Sequence, residues 1–115
     1  MRKIENAQKE LCEYLISITP VEWKKICFYS KCTSGSRTTW IALVEKETGA
    51  ICTQESFWDR YNEYPCKKMD VYIKLGKLIK NLYNAYIEKF GEEKIWCTYS
   101  LTIEDDYSFH VDLGY

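Results

Sequence analysis

At 115 residues the chain has the length of a modal domain, which predicts a single unit over 1–115 with one hydrophobic core. Apolar side chains at 46% and aromatics at 16% exclude a disordered chain, because such burial offsets roughly 1 to 2 kcal/mol of backbone entropy per residue. Sixteen basic and seventeen acidic residues, net −1, lack the basic excess of a nucleic-acid binder, and without a run of about 18 apolar residues or an apolar export segment near Met1 the chain is expected to be cytoplasmic with no membrane partner.

Between 3 and 18, Ile4, Ala7, Leu11, Leu15 and Ile18 recur at steps of three and four, the stripe of an amphipathic helix. Thr19 and Pro20 interrupt it, with Thr19 expected to N-cap a short turn, Pro20 at its first position, running through Trp23. Ile26 to Thr33 and Thr38 to Lys46 are rich in β-branched and aromatic residues around Ser34-Gly35-Ser36-Arg37, which reads as a hairpin. Glu47-Thr48-Gly49 turns the chain into a third strand at Ala50 to Thr53. In the first strand, Ile26, Phe28, Ser30 and Cys32 share one face, with Cys27, Tyr29, Lys31 and Thr33 on the other.

Residues 54 to 66 show no clean period and read as an aromatic-rich connection carrying Trp58, Tyr61 and Tyr64. From 68 to 90, Val71, Leu75, Leu78, Ile79, Leu82, Tyr86 and Phe90 mark the longest helical stripe, and Gly91 is its expected stop. Gly76, costing about 1 kcal/mol relative to Ala in a helix, predicts close packing against the sheet. Lys94 to Ile103 sets Ile95, Cys97, Tyr99, Leu101 and Ile103 against Trp96, Thr98, Ser100 and Thr102. Glu104-Asp105-Asp106 then turns the chain into Tyr107 to Leu113. Helix, β-meander, long helix and hairpin predict an α+β fold, with a mostly antiparallel sheet packed against the N-terminal helix and the long helix.

No catalytic, cofactor-binding or metal-binding residues are expected. Cys12, Cys27, Cys32, Cys52, Cys66 and Cys97 lack the short spacings of a zinc site, and His110 is the single histidine. The thiols are expected to be reduced, most of them small core residues. His110 falls between Phe109 and Val111 and is expected to face away from both, with no third group to orient its ring as a base. Ser34-Gly35-Ser36 lacks the spacing of a phosphate loop and precedes a strand, and the loop aromatics lack the basic groove of a single-strand binder.

Charge is segregated along the chain. Between Lys67 and Lys89, six lysines face Asp70 and Glu88, a local balance of +4. From Glu92 to Tyr115, Glu92, Glu93, Glu104, Asp105, Asp106 and Asp112 face only Lys94, a local balance of −5. An acidic terminal hairpin fits a basic protein partner, since complementary charge raises the association rate.

The run Ile18-Thr19-Pro20-Val21-Glu22-Trp23-Lys24-Lys25-Ile26-Cys27-Phe28-Tyr29-Ser30 resembles the YezG-like immunity family, small bacterial antitoxins encoded beside secreted polymorphic toxins. The likeness extends through Trp40, Tyr61-Asn62, the long helix and the acidic turn before Phe109, Val111 and Asp112. It implies neutralisation of a cognate toxin, such as a nuclease, by stoichiometric protein–protein binding without catalysis. The alternatives are an adaptor or regulatory interaction domain with no toxin partner, or a small enzyme. Two groups are candidate partner-binding residues: Trp58, Tyr61 and Tyr64 in the aperiodic segment, and Glu104, Asp105, Asp106 and Asp112 in the acidic hairpin.

Overall fold

A computed structural model of the chain describes residues 3–19, 22–33, 36–53 and 68–115. Among them are two α-helices and a five-stranded antiparallel sheet. The elements are α1 (Lys3–Ser17), β1 (Trp23–Thr33), β2 (Ser36–Glu45), β3 (Ile51–Thr53), α2 (Lys68–Phe90), a 3₁₀ turn (Glu92–Lys94), β4 (Thr98–Glu104) and β5 (Phe109–Gly114). The strands lie in the order β3-β2-β1-β4-β5. The terminal hairpin thus completes the sheet beside β1 instead of extending the meander at β3, giving the α+β architecture expected from the pattern.

α1 forms because its stripe meets the sheet, with Leu11, Leu15 and Ile18 buried. Thr19 behaves differently from expectation. Its hydroxyl donates to the Leu15 carbonyl at 2.8 Å and its amide to the Ile16 carbonyl at 3.3 Å, satisfying orphan acceptors at the end of α1 instead of capping a new turn. Trp23, assigned to that turn, already pairs with Glu45 as the first residue of β1. Pro20 and the Ser34-Gly35 turn fall outside the described residues.

The core lies between one sheet face and the two helices. Ile26 and Phe28 of β1, Ile41 and Leu43 of β2, and Tyr99, Leu101 and Ile103 of β4 point inward against Leu11 and Leu15 of α1 and Val71, Leu75, Leu78, Ile79 and Leu82 of α2. Period-two alternation sets each strand's inner residues, and the stripe of α2 supplies the matching surface. At its far end Lys3 of α1 donates to both carboxylate oxygens of Glu88 at 2.8 and 2.9 Å. No described helix is long and apolar enough to cross a membrane.

Two expectations about α2 and β4 need correction. A Cβ on Gly76 would meet no atom of the described residues within 4 Å, so this glycine does not serve a close approach to the sheet; its carbonyl accepts from Arg37 Nη1 at 3.4 Å. The alternation expected from Ile95 onward also fails before Thr98. Trp96 is buried and Cys97 exposed, because the backbone bends there. The Cys97 amide donates to Gly114 of β5 at 2.6 Å while its carbonyl accepts from Cys32 of β1 at 2.7 Å. That bend tucks Trp96 under the sheet, edge to face with Tyr83 and Tyr86 of α2 at 5.2 and 5.8 Å.

Candidate functional site

The sheet face opposite the helices carries no described element. Register defines what stands on it. Trp40, Tyr29, Ser100 and Asp112 face one another in turn across β2, β1, β4 and β5, a row spanning roughly 14 Å at ordinary strand spacing. The next row holds Ala42, Cys27, Thr102 and His110, and a third holds Val44, Lys25 and Glu104. β3 extends the face with Thr53 beside Ala42 and Ile51 beside Val44.

Aromatic surface is left on this open side. Tyr29 and Trp40 pack with ring centroids 5.1 Å apart at a 42° tilt, and Trp40 keeps 44% of its surface exposed. Ile51 is 70% exposed. A shallow apolar depression beside the pair is lined by Cys27, Tyr29, Trp40, Ala42, Ser100 and Thr102. Burial pushes the Cys27 thiol up from its ordinary range, overriding the downward pull of Lys25, so it lines the depression as a neutral group. Cys12, in the core, is pushed up to about 11 by burial with help from Glu13.

The acidic hairpin borders the same face. Glu104 ends β4 there and receives Lys25 Nζ at 3.5 Å. Asp105 and Asp106 sit exposed in the turn. Asp106 accepts from the Ser108 hydroxyl at 2.5 Å and the Ser108 amide at 2.9 Å. Those donors hold its carboxyl below the usual carboxylate range. Asp112 stands four residues past Ser108, roughly 13 Å along the strand, in the row of Tyr29 and Trp40. The four acids therefore split between the turn and the open face. Trp58, Tyr61, Tyr64 and Cys66 lie outside the described residues.

The family model described as immunity protein YezG-like matches residues 4–115. The chain belongs to the YezG-like immunity protein family. Comparison with curated proteins finds no match.

Family membership places this YezG-like protein in the immunity class, whose general partner is a toxin protein. Two residues of the open face were not among those singled out from the sequence. Tyr29 and Trp40 each alternate with a core residue, Phe28 and Ile41, so their outward position was readable from period two. Their meeting was not, since it depends on how β2 registers against β1. His110 of the YezG-like chain faces Thr102 on the open side, opposite Phe109 and Val111 as the alternation predicts.

Proposed function

We propose that this protein neutralises a cognate secreted toxin by stoichiometric binding, with its open sheet face and acidic hairpin making the contact. The observation that carries this reading is the Tyr29–Trp40 pair, half-buried Tyr29 against exposed Trp40, sharing one row with Asp112. An apolar aromatic centre with charged groups at its margin is the anatomy of a binding hot spot inside a standard interface of roughly 1,600 Å². Glu104, Asp105, Asp106 and Asp112 favour a basic partner surface, and the substrate cleft of a nuclease has that character. Trp58, Tyr61 and Tyr64 remain proposed contacts on composition.

Such a function needs no turnover. Binding alone blocks the toxin, by covering its active cleft or by holding it in an inactive arrangement. The test is co-expression with the toxin domain encoded beside this gene, reading growth and recovery of a one-to-one complex. The proposal expects both growth and complex with the native chain, and loss of both when Trp40→Ala and Asp112→Lys are combined. Growth restored without any complex would refute the binding mechanism, and an unimpaired double variant would move the contact away from the open face.

A further inference from the structure

β5 is a lateral edge of the sheet, with β4 on one side and no described strand on the other. Ser108 turns its carbonyl to the Glu104 amide at 2.8 Å, and Gly114 turns its carbonyl to the Cys97 amide at 2.6 Å. Alternation between those two points commits the backbone of His110 and Asp112 to β4 as well, opposite Thr102 and Ser100. The amides and carbonyls of Phe109, Val111 and Leu113 therefore face away from the sheet. Edge strands ordinarily discourage pairing by being short or by carrying lysine or proline. β3 is short, at three residues. β5 runs for six residues, Phe-His-Val-Asp-Leu-Gly, with neither lysine nor proline.

We propose that β5 pairs antiparallel with β5 of a second copy of this chain, about a two-fold axis through Val111, so that one sheet runs through both subunits. In this register Val111 lies opposite Val111 of the partner subunit, and Phe109 opposite Leu113 of the partner subunit. These are the hydrogen-bonded pairs, about six backbone bonds along the seam. His110 then lies opposite Asp112 of the partner subunit at a non-hydrogen-bonded position, where facing side chains come closest. Symmetry repeats that imidazole–carboxylate contact on the other side of the axis.

The side chains select this register over its neighbours. Sliding one strand by a pleat repeat in one direction sets His110 against His110 of the partner subunit, and in the other direction Asp112 against Asp112 of the partner subunit. Like groups directly opposed are unfavourable, whereas the proposed alignment satisfies both at once. On the other face Phe109, 47% exposed, and Tyr115, 77% exposed, provide apolar surface to cover. The seam lies at the β5 edge, so the Tyr29–Trp40 pair on β1 and β2 stays open in both subunits.

Sedimentation velocity of the isolated chain, from low to high micromolar concentration, tests the pairing. The native chain is expected to show a concentration-dependent monomer–dimer equilibrium. Val111→Pro removes an outward amide while sparing the β4 ladder, and should weaken the dimer at least about tenfold. His110→Asp, at an exposed position that keeps the fold even if the proline does not, should do the same by opposing two carboxylates. The exchange His110→Asp with Asp112→His restores the pair and should restore the dimer. A native chain that stays monomeric throughout overturns the proposal, as does a dimer indifferent to His110→Asp or not recovered by the exchange. A monomer whose toxin binding is abolished by His110→Asp also overturns it, and assigns the edge to the toxin.

Discussion

Tyr107 holds a left-handed backbone conformation, φ 68°, while its ring meets Trp23 edge to face with centroids 6.1 Å apart. The Tyr107 amide donates to the Glu104 carbonyl at 2.9 Å, closing a short turn whose last residue is ordinarily glycine or asparagine. A non-glycine residue there costs on the order of 1 kcal/mol. The aromatic contact offsets that cost by tying the acidic turn to the start of β1.

The two contributions separate by substitution. Tyr107→Ala loses the ring and keeps the strain, whereas Tyr107→Gly loses the ring and releases it. Denaturant unfolding should rank the native chain and the glycine variant close together, with alanine about 1 kcal/mol below glycine. Equal stability for alanine and glycine would show that the turn is unstrained.

Trp40→Ala should leave the fold intact, because the indole stands on the open face and is already 44% exposed. Toxin affinity should fall by roughly 2 kcal/mol or more, the loss typical of an aromatic anchor. Calorimetric titration against the toxin domain measures it. Glu88→Gln, on the helical side, should bind as the native chain does.

Gly76→Ala should stabilise the protein. The added methyl meets no atom of the described residues within 4 Å, and alanine is about 1 kcal/mol better than glycine inside a helix. For a chain of this size, that raises Tm by roughly 4 °C. Thermal unfolding followed by circular dichroism checks it, and a fall in Tm would reveal a role for Gly76 beyond its accepting carbonyl.

Tyr99 is fully buried, and its hydroxyl has no hydrogen-bond partner among the described residues. Burial pushes its phenol far up, with Tyr86 and Cys12 adding to the effect. Tyr99→Phe removes a desolvated polar group and keeps the ring against Trp96, 5.2 Å away. Stability should be unchanged or higher by up to about 1 kcal/mol. A loss of several kcal/mol in chemical unfolding would place an ordered water on that hydroxyl.

Acid should loosen the hairpin turn. The Ser108 hydroxyl and amide hold the Asp106 carboxyl below its ordinary range. The folded value is thus the depressed one, and the support it provides is fully present above the unfolded carboxylate pKa. It is lost as pH falls through the folded value. The protection of the Ser108 amide relative to its intrinsic exchange rate should therefore fall under acid, and Ser108→Ala should move the onset to higher pH. An onset indifferent to that substitution would assign the effect to another carboxylate.

The candidate site was half legible. Glu104, Asp105 and Asp106 announced themselves as an acidic turn, and a turn is a local feature. Tyr29 and Trp40 did not, since neither strand carries the other's partner. Asp112 was noticed for its charge, but its place in their row rests on β4 lying between β5 and β1. The misread alternation at Trp96 has a similar origin. Its backbone bends because Cys97 bonds to β5 on one side and β1 on the other, and both partners are distant in sequence.

Periodicity was enough to locate both helices, the meander and the hairpin, because a period of 3.6 or 2 records which side of each segment is buried. The Pro20-Glu22-Trp23 run was enough to point to the family. Strand order and register were beyond such patterns. They follow from pairings between residues as far apart as Tyr29 and Ser100, chosen by how the inner faces of all five strands fill one core against α1 and α2. The open face, its aromatic pair and the place of β5 at the edge of the described strands all depend on that packing.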